Sequence, residues 1–460
     1  MASSQRIPVK PAEIIEQRSY QVPGKLLITE HHFSIPSSHS DPTSTPLRIF
    51  ARSARRPAPP GFPLGPTLPY LVYLNGGPGH ACHPPQSYPF TPTLLDKGYT
   101  LLFLDQRGTG LSTPISASTL AQRGDMDVQA RHLKLYRADN IVRDLEAIRL
   151  ALTATEQRPA GEKWSIFGQS FGGFISVSYL SFYPEGLRES FIFGGLMPLV
   201  REPGEVYRRL FRVVERRNEV YYAKFPEDVG RVKSIVRFLG RWGDGKVRLP
   251  GGGALTGRLF LTLGIGLGFH GGVDLVHNIV LKASTEIEMF GHITRGTLNS
   301  IESFLGWDNA PIYSVLHEPI YTVGKKAGWA AQKVREELPQ FAMERLDSIE
   351  PLLFTGEMIF PWMFDDCPEL SKMKDVAEKV AQDEDWPELY DLEQLKKNEV
   401  PVYAAAYTED MYVDFDFSKE TAAAIKGCKM FSTNVMYHNA IREKKEVVDQ
   451  LFLMREDVID

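Results

Sequence analysis

Cysteine is scarce in this chain. The three cysteines, Cys82, Cys367 and Cys428, are odd in number and far apart in the sequence. A disulfide framework needs cysteines in pairs, and a metal cluster of the Cys-x-x-Cys type needs them close together. The sequence therefore predicts neither and is typical of a protein from a reducing compartment.

Long apolar segments are missing as well. The most apolar run, residues 259–269, is interrupted by glycines and is about half as long as a membrane span. The first residues contain no apolar core of the kind found in a signal peptide. We therefore expect a cytoplasmic protein that does not bind a membrane.

A strong charge of either sign is also absent. The formal net charge is −5, and the arginines at 52, 55 and 56 are spread along a proline-rich loop. Binding to nucleic acid requires a basic patch, so we do not expect a nucleic-acid partner. The 43% hydrophobic and 24% charged residues are typical of a soluble globular protein, and 460 residues allow about two or three domains.

Short apolar strands alternate with helical segments in the first part of the chain. Residues 70–74, 100–104 and 191–193 are apolar throughout, as strands covered on both faces are, and 139–152 has the apolar spacing of an amphipathic helix. This alternation predicts an α/β fold with a mostly parallel, doubly wound sheet. Residues 1 to about 68 are expected to add antiparallel edge strands.

The pattern changes near Met197. Segments 204–225 and 229–239 have helical periodicity, and helical text continues to about residue 395. Strands of the core type resume at 400–407 and 430–435. We therefore expect a core formed by residues 1–198 and 396–460, with an all-helical cap of residues 199–395 inserted in it.

Residues 164–173 have the pattern of a nucleophile elbow. A short apolar strand leads into a Gly-x-Ser-x-Gly turn centred on Ser170, and a helical segment follows. Side chains at 168 and 172 would collide with a strand that reverses so sharply into a helix, which explains the glycines. The alternative is a glycine-rich turn with an ordinary serine.

A serine nucleophile needs a base and an orienting carboxylate. In a sheet of this topology the acid and then the histidine follow the serine, each after a late strand. His438 directly follows a core strand, whereas the four other histidines after Ser170 lie in the helical insertion. Asp410 follows the preceding core strand, with Glu409 and acids at 414 and 416 as alternatives in the same loop.

An oxyanion requires N–H donors that are already in place. The backbone of Phe171, next to the serine, should supply one of them. Gly77 is the preferred source of the second, with Gly76 in reserve, because residues 75–79 form a glycine-rich loop after an apolar strand. A simple turn is the alternative, and Asp105 and Arg107 are expected to form a structural network.

Five motifs together resemble the proline iminopeptidase family of the α/β-hydrolase superfamily. They are Asn-Gly-Gly-Pro-Gly at 75–79, Asp-Gln-Arg-Gly-Thr-Gly-Leu-Ser at 105–112, Arg-Ala-Asp-Asn-Ile-Val-Arg-Asp at 137–144, Gly-Gln-Ser-Phe-Gly-Gly at 168–173 and Glu-Asp-Met-Tyr at 409–412. The family commonly begins the first of these motifs with histidine, and this chain has Asn75. The resemblance implies an α/β-hydrolase fold with a helical cap.

The resemblance also implies that glutamates of the cap hold the free amine of the substrate. Glu318 and Glu357 are each the single carboxylate of an apolar, aromatic segment, where a carboxylate without a partner is costly to bury. Glu318 fits the family pattern slightly better. The alternative for each is an acid at a helix end, paired with a nearby arginine.

The expected activity is that of a serine exopeptidase which releases an N-terminal residue, preferably proline, from short peptides. No metal or organic cofactor is expected, and the oligomeric state is left open. One alternative is a capped esterase or amidase that does not require a free amine. Another is a non-catalytic binding protein with the same fold.

Overall fold

The computed structural model describes residues 6–22, 26–58, 67–154, 158–241 and 247–457. A nine-stranded sheet and a separate two-stranded sheet contain all of the strands in these ranges. The strands are β1 (Glu13–Val22), β2 (Leu26–Ser38), β3 (Asp41–Arg55), β4 (Tyr70–Leu74), β5 (Thr100–Asp105), β6 (Trp164–Gln169), β7 (Leu187–Phe193), β8 (Val247–Arg248), β9 (Ala254–Leu255), β10 (Val402–Tyr407) and β11 (Cys428–Thr433).

The large sheet has the order β1-β2-β3-β5-β4-β6-β7-β10-β11. Strands β1, β2 and β3 are antiparallel to their neighbours, and β3 runs antiparallel to β5. From β5 to β11 every pairing is parallel. The prediction of a mostly parallel sheet with antiparallel strands at its N-terminal edge is confirmed.

Along the chain, the α-helices of the described residues connect the parallel strands, lie in the interval between β7 and β10, or follow β11. They are α1 (Thr91–Asp96), α2 (Ala117–Ala121), α3 (Met126–Lys134), α4 (Ala138–Thr153), α5 (Phe171–Phe182), α6 (Gly204–Lys224), α7 (Asp228–Arg241), α8 (Gly257–Leu261), α9 (Gly272–Phe290), α10 (Arg295–Leu305), α11 (Pro311–Leu316), α12 (Ala330–Glu336), α13 (Met363–Asp366), α14 (Pro368–Ser371), α15 (Lys374–Gln382), α16 (Leu392–Lys396), α17 (Phe415–Ala424), α18 (Ala440–Glu443) and α19 (Lys445–Glu456). Among the described helices, none is long and apolar enough to cross a membrane.

The interval between β7 and β10 is mainly helical, running from α6 to α16. It also contains the antiparallel pair β8 and β9, in which Val247 lies opposite Leu255. The expectation of an all-helical insertion is wrong on this point, because Gly252, with φ +97°, allows a tight turn that a run of helical residues would not make. The cap boundaries at 198/199 and 395/396 stay a prediction.

Strand β6 lies inside the nine-stranded sheet, and helix α5 packs against it. Every residue of β6 is buried, and so is every residue of α5, although this helix contains three serines. The hydroxyl of Ser176 donates to the carbonyl of Gly172, and that of Ser178 donates to the carbonyl of Leu389. A helix that is apolar on all sides can be buried completely once its few polar groups are hydrogen-bonded.

A buried ion pair fixes the loop that follows β5. Both nitrogens of the Arg107 fork donate to Asp144 of α4, at 2.7 and 2.5 Å. Arg107 Nη1 also donates to the carbonyls of Ser37 and Leu135. Burial alone would raise the pKa of Asp144, but the charge of Arg107 and its hydrogen bonds hold it below the usual value. Arg107 therefore has the structural role that the sequence predicts.

Replacing Asp144 with Asn should lower the free energy of unfolding by about 3–5 kcal/mol, because it leaves a buried guanidinium without its counter-charge. Urea denaturation followed by tryptophan fluorescence measures this change. The matched control is Asp96→Asn, which breaks the exposed pair of Asp96 with Arg56 and should cost about 1 kcal/mol or less. Equal losses in the two variants would contradict the structural role of the buried pair.

Candidate active site

Ser170 occupies a strained turn between β6 and α5. Its φ is 54° and its ψ is −123°, a backbone conformation that residues other than glycine rarely adopt. A Cβ atom at Gly172 would lie 2.0 Å from the carbonyl oxygen of Leu74, and one at Gly168 would lie 2.4 Å from that of Gly172. The glycines on both sides of Ser170 are therefore required by close backbone packing, as the sequence predicts.

His438 and Asp410 form a hydrogen-bonded pair. The distance from His438 Nδ1 to Asp410 Oδ2 is 2.8 Å. The other carboxylate oxygen of Asp410 accepts the backbone N–H groups of Tyr412 and Val413, at 2.8 and 3.0 Å. These bonds fix the carboxylate, and the carboxylate in turn fixes the ring of His438, which leaves Nε2 as the nitrogen available for chemistry.

The glycines after β7 bring this pair close to the serine. A Cβ atom at Gly195 would lie 2.4 Å from the carbonyl oxygen of Ser170, and one at Gly194 would lie 3.2 Å from Nδ1 of His438. Ser170 and His438 also line the same cavity, although no hydrogen bond joins their side chains in the described part of the chain. Contacts between catalytic groups are often long in unliganded enzymes, and they tighten when substrate binds.

The charges around His438 act in opposite directions. Burial alone would lower the pKa of this imidazole, but the Asp410 carboxylate raises the pKa above its usual value, and the charge of Glu357 adds to that rise. Arg442 opposes it. The site therefore stabilises an imidazolium, which is the form that a general base adopts after taking a proton.

Asn75 holds the loop after β4. Its Nδ2 donates to the carbonyls of His80 and Ala81, at 3.3 and 2.9 Å, and so braces residues 76–79 between two anchors. Its Oδ1 accepts hydrogen bonds from Tyr73 Oη at 3.0 Å and from Arg442 Nη2 at 2.9 Å. Asparagine thus supplies both donors and an acceptor at a position where the family commonly has histidine.

The same loop approaches the serine closely. A Cβ atom at Gly76 would lie 3.1 Å from Ser170 Cβ and 3.6 Å from Ser170 Oγ. Gly77 follows, with a φ of 128° that favours glycine, and it lines the cavity. Phe171 begins α5, so its N–H belongs to the first turn of a helix, where amide groups have no acceptor within the helix.

A cavity of about 760 Å³ opens between the ends of the parallel strands and the cap. It is large enough for a short peptide. The strand-end loops contribute Ser170, His438 and Gly77, and the cap contributes apolar and aromatic side chains. The cap residues that line the cavity include Ile265, Phe269, Phe304, Leu305, Trp307, Ala310 and Tyr313.

Glu357 is the cap carboxylate that lines this cavity. The hydroxyl of Tyr313 donates to Glu357 Oε1 at 2.6 Å. Burial raises the pKa of Glu357 to about 7, although the charge of His438 and the Tyr313 hydrogen bond act to lower it. This carboxylate is therefore costly to ionise in the empty site, and a bound cation would relieve that cost.

Glu318 has a different environment. Its two carboxylate oxygens accept the backbone N–H groups of Ala330 and Ala331, each at 2.9 Å, at the start of α12. It does not belong to the residues that line the cavity around Ser170. Burial raises the pKa of Glu318 to about 7 in spite of these two bonds. The structure thus brings Glu357 to the site, and it places Glu318 in a helix-capping position.

Tyr207 of α6 lies within electrostatic range of both glutamates. Its ring is fully buried, and its hydroxyl has no hydrogen-bond partner among the described residues. Burial raises the pKa of Tyr207 well above its usual value, and the charges of Glu318, Tyr321 and Glu357 add to that rise. Both carboxylates, Glu318 and Glu357, therefore act on the hydroxyl of Tyr207.

Sequence reasoning missed two residues of the site and the role of a third. Tyr313, Arg442 and the hydrogen-bonding role of Asn75 emerge only from the structure. No local signal identifies Tyr313, since its partner Glu357 is distant in the chain.

The fold, the strained serine and the His–Asp pair define an α/β hydrolase, and residues 69–236 match the family model for the alpha/beta hydrolase fold. The chain is 46% identical over 457 residues to the proline iminopeptidase aneH of Aspergillus aculeatus, covering 98% of this chain and 99% of that protein. It is 36% identical over 429 residues to the proline iminopeptidase of Aeromonas sobria, covering 93% and 96%. The chain therefore belongs to the proline iminopeptidase family.

Replacing Glu357 with Gln should stabilise the protein at pH 8. Folding raises the pKa of Glu357 from 4.5 to about 7, so the wild-type protein loses stability as the pH rises through that window. The variant should gain on the order of 1–3 kcal/mol at pH 8 and nothing at pH 4, as measured by urea denaturation at both values.

The matched control for this comparison is Glu443→Gln, which removes an exposed charge from the same cavity. This variant should leave the stability at pH 8 close to that of the wild type. A Glu357→Gln protein that is less stable than the wild type at pH 8 would show that the ionised carboxylate is already well compensated in the empty site.

Proposed function

We propose that this protein is a serine exopeptidase that removes an N-terminal residue, preferably proline, from short peptides. The observation that carries the proposal is that Ser170, His438 and Glu357 line one cavity. A nucleophile and its base lie at the strand ends, and a carboxylate for the substrate amine faces them from the cap. Membership of the proline iminopeptidase family supports the same substrate class.

Ser170 acts as the nucleophile. Its Oγ attacks the carbonyl carbon of the N-terminal residue while its proton passes to Nε2 of His438, which Asp410 orients through Nδ1. The tetrahedral intermediate collapses by breaking the C–N bond, and the imidazolium gives its proton to the departing amine. Water then attacks the acyl-enzyme by the same route, and the free amino acid leaves.

The oxyanion of each intermediate is stabilised by backbone N–H groups of Gly77 and Phe171. The close approach of the loop before Gly77 to Ser170, and the position of Phe171 at the start of α5, support this assignment. Asn75 contributes by bracing the loop, because its side chain is already used in hydrogen bonds within the protein. Histidine is therefore not required at that position for the loop to be held.

The protonated amine of the substrate pairs with Glu357, and this pairing makes the enzyme an exopeptidase. A peptide with a blocked or internal nitrogen offers no cation to the buried carboxylate, so the cost of ionising Glu357 would remain. Glu318 would contribute indirectly, because its hydrogen bonds with the backbone of Ala330 and Ala331 fix the start of α12. A cytoplasmic location remains a proposal that derives from the sequence alone.

The Ser170→Ala variant should lose at least about 10⁴-fold in kcat on prolyl p-nitroanilide, and Asp410→Asn about 10³–10⁴-fold, because each removes an essential part of the same unit. Release of p-nitroaniline measures both. Labelling of Ser170 by a fluorophosphonate should be lost in the first variant. Wild-type activity in Ser170→Ala would contradict the assignment of the nucleophile.

The free-amine requirement should depend on Glu357. The wild-type protein should cleave prolyl p-nitroanilide and discriminate strongly against its N-acetyl and cyclopentanecarbonyl analogues, which lack the cationic nitrogen. The Glu357→Gln variant should lose about 10- to 100-fold in kcat/KM on the prolyl substrate, because one charge-assisted bond is lost, and little on the cyclopentanecarbonyl analogue.

This experiment also separates the two glutamates. Glu318→Gln should leave the ratio of prolyl to cyclopentanecarbonyl hydrolysis higher than Glu357→Gln does, since a ratio is insensitive to partial loss of folded protein. The acid limb of kcat/KM should also lose one ionisation in Glu357→Gln, because Glu357 and His438 both act in their deprotonated forms. A capped esterase without amine recognition would hydrolyse all three substrates at similar rates.

A further inference from the structure

Arg442 lies at the candidate active site, and the proposed chemistry does not use it. It belongs to the short helix that follows His438 and lines the same cavity as Ser170. Its Nη2 donates to Asn75 Oδ1 at 2.9 Å, and its guanidinium lies 6.0 Å from the centre of the Tyr88 ring. These contacts hold the arginine in a defined place next to the loop that approaches Ser170.

The guanidinium has no acidic partner in the part of the chain that the structure describes. No carboxylate of those residues lies within 4.0 Å of it, and the groups that influence its charge are the phenols of Tyr73 and Tyr88 and the thiol of Cys82. An arginine beside a binding cavity usually pairs with a carboxylate or a phosphate, since its planar fork fits both. Among the described residues, Arg442 therefore has a neutral hydrogen-bond partner in Asn75 but no anionic one.

Arg442 is more exposed than Ser170 and His438, which line the same cavity. Ser170 and His438 are only 9% and 6% exposed, whereas Arg442 is exposed to solvent at the cavity opening, together with His80 and Glu443. In the proposed reaction the substrate amine pairs with Glu357 and the first carbonyl lies at Ser170. The remainder of the peptide ends in a carboxylate, and the exposed guanidinium of Arg442 lines the same cavity.

The cation also lies within electrostatic range of the reacting groups. The charge of Arg442 opposes the raised pKa of His438. Peptide residues extend by about 3.3–3.6 Å each. The leaving part of a di- or tripeptide is one or two residues long, so its carboxylate stays close to the scissile bond.

We propose that Arg442 binds the C-terminal carboxylate of the leaving peptide, and that the preferred substrates are di- and tripeptides with both ends free. This inference rests on the proposed exopeptidase function and adds a second recognition point to it. Glu357 binds the cationic end, Arg442 binds the anionic end, and Ser170 acts on the bond between them. Longer peptides carry their carboxylate beyond the opening and gain nothing from Arg442.

The test compares each peptide acid with its own amide. The probes are Pro-Ala, Pro-Ala-Ala and their C-terminal amides, and the measured quantity is the ratio of kcat/KM for acid over amide at each length. We expect a wild-type ratio of about ten for at least one length, which is the contribution of one charge-assisted hydrogen bond. The ratio should fall to about one in Arg442→Gln and to an intermediate value in Arg442→Lys.

The ratio isolates recognition from chemistry. Arg442→Gln also removes a hydrogen bond to Asn75, and any disturbance of the loop near Ser170 affects acid and amide alike and cancels. The matched control is Glu443→Gln, a neutral replacement of the adjacent charge at the same opening, which should not lower the ratio. An increase in ionic strength should lower the wild-type ratio.

A wild-type ratio of about one at both lengths, or a ratio that Arg442→Gln leaves unchanged, overturns the proposal. In either case cleavage of the amides would still support the exopeptidase function, so the two failures are distinguishable. Absence of cleavage of all four peptides overturns both.

Discussion

The contact between Gly172 and the carbonyl of Leu74 is the constraint on which the site depends. It allows the first turn of α5 to lie directly against the end of β4, closer than any side chain would permit. Ser170 is then forced into its strained turn, with φ 54°, and its neighbour along the sheet is the loop that begins at Asn75. Backbone packing between one helix and one strand thus determines how the serine and the first-loop amides face each other. The strain at Ser170 is maintained because α5 is buried along its whole length and cannot relax outward.

The order of the sheet brings the remaining groups to the same edge. Strands β7, β10 and β11 follow β6 in parallel, so their C-terminal loops lie side by side although the helical interval separates them in sequence. Gly194 and Gly195 lie between the His438–Asp410 pair and Ser170. Gly194 packs against the His438–Asp410 pair, and Gly195 packs against the backbone of Ser170. A larger residue at either position would move the base away from the nucleophile. Small residues at the ends of adjacent strands therefore have the same importance for the chemistry as the polar residues themselves.

Much of this arrangement was predictable from the sequence because it depends on local patterns. An apolar strand that ends in a Gly-x-Ser-x-Gly turn, and a histidine that directly follows a late strand, are recognisable without knowledge of distant contacts. The cap is different, because its side-chain environments arise from contacts between segments that are far apart. Glu318 and Glu357 stand in equally apolar text, yet one caps α12 and the other faces the cavity. The boundaries of the cap and the roles of these glutamates could not be fixed from the pattern alone. The glycines at 251–253 mark a break in the helical pattern, but the pairing of β8 with β9 across that break depends on contacts that the pattern does not reveal.

Two opposite charges line the cavity, the carboxylate of Glu357 and the guanidinium of Arg442. Glu357 raises the pKa of His438, and Arg442, which lines the same cavity, opposes that effect. In the proposed complex, the substrate amine would neutralise Glu357 and so remove one of the charges that stabilise the imidazolium. A leaving carboxylate at Arg442 would neutralise the opposing charge at the same time. The two effects on His438 cancel in part, so a substrate with both ends charged perturbs the base less than an amine that carries no carboxylate. The pKa of His438 would therefore change least when a substrate pairs with both Glu357 and Arg442.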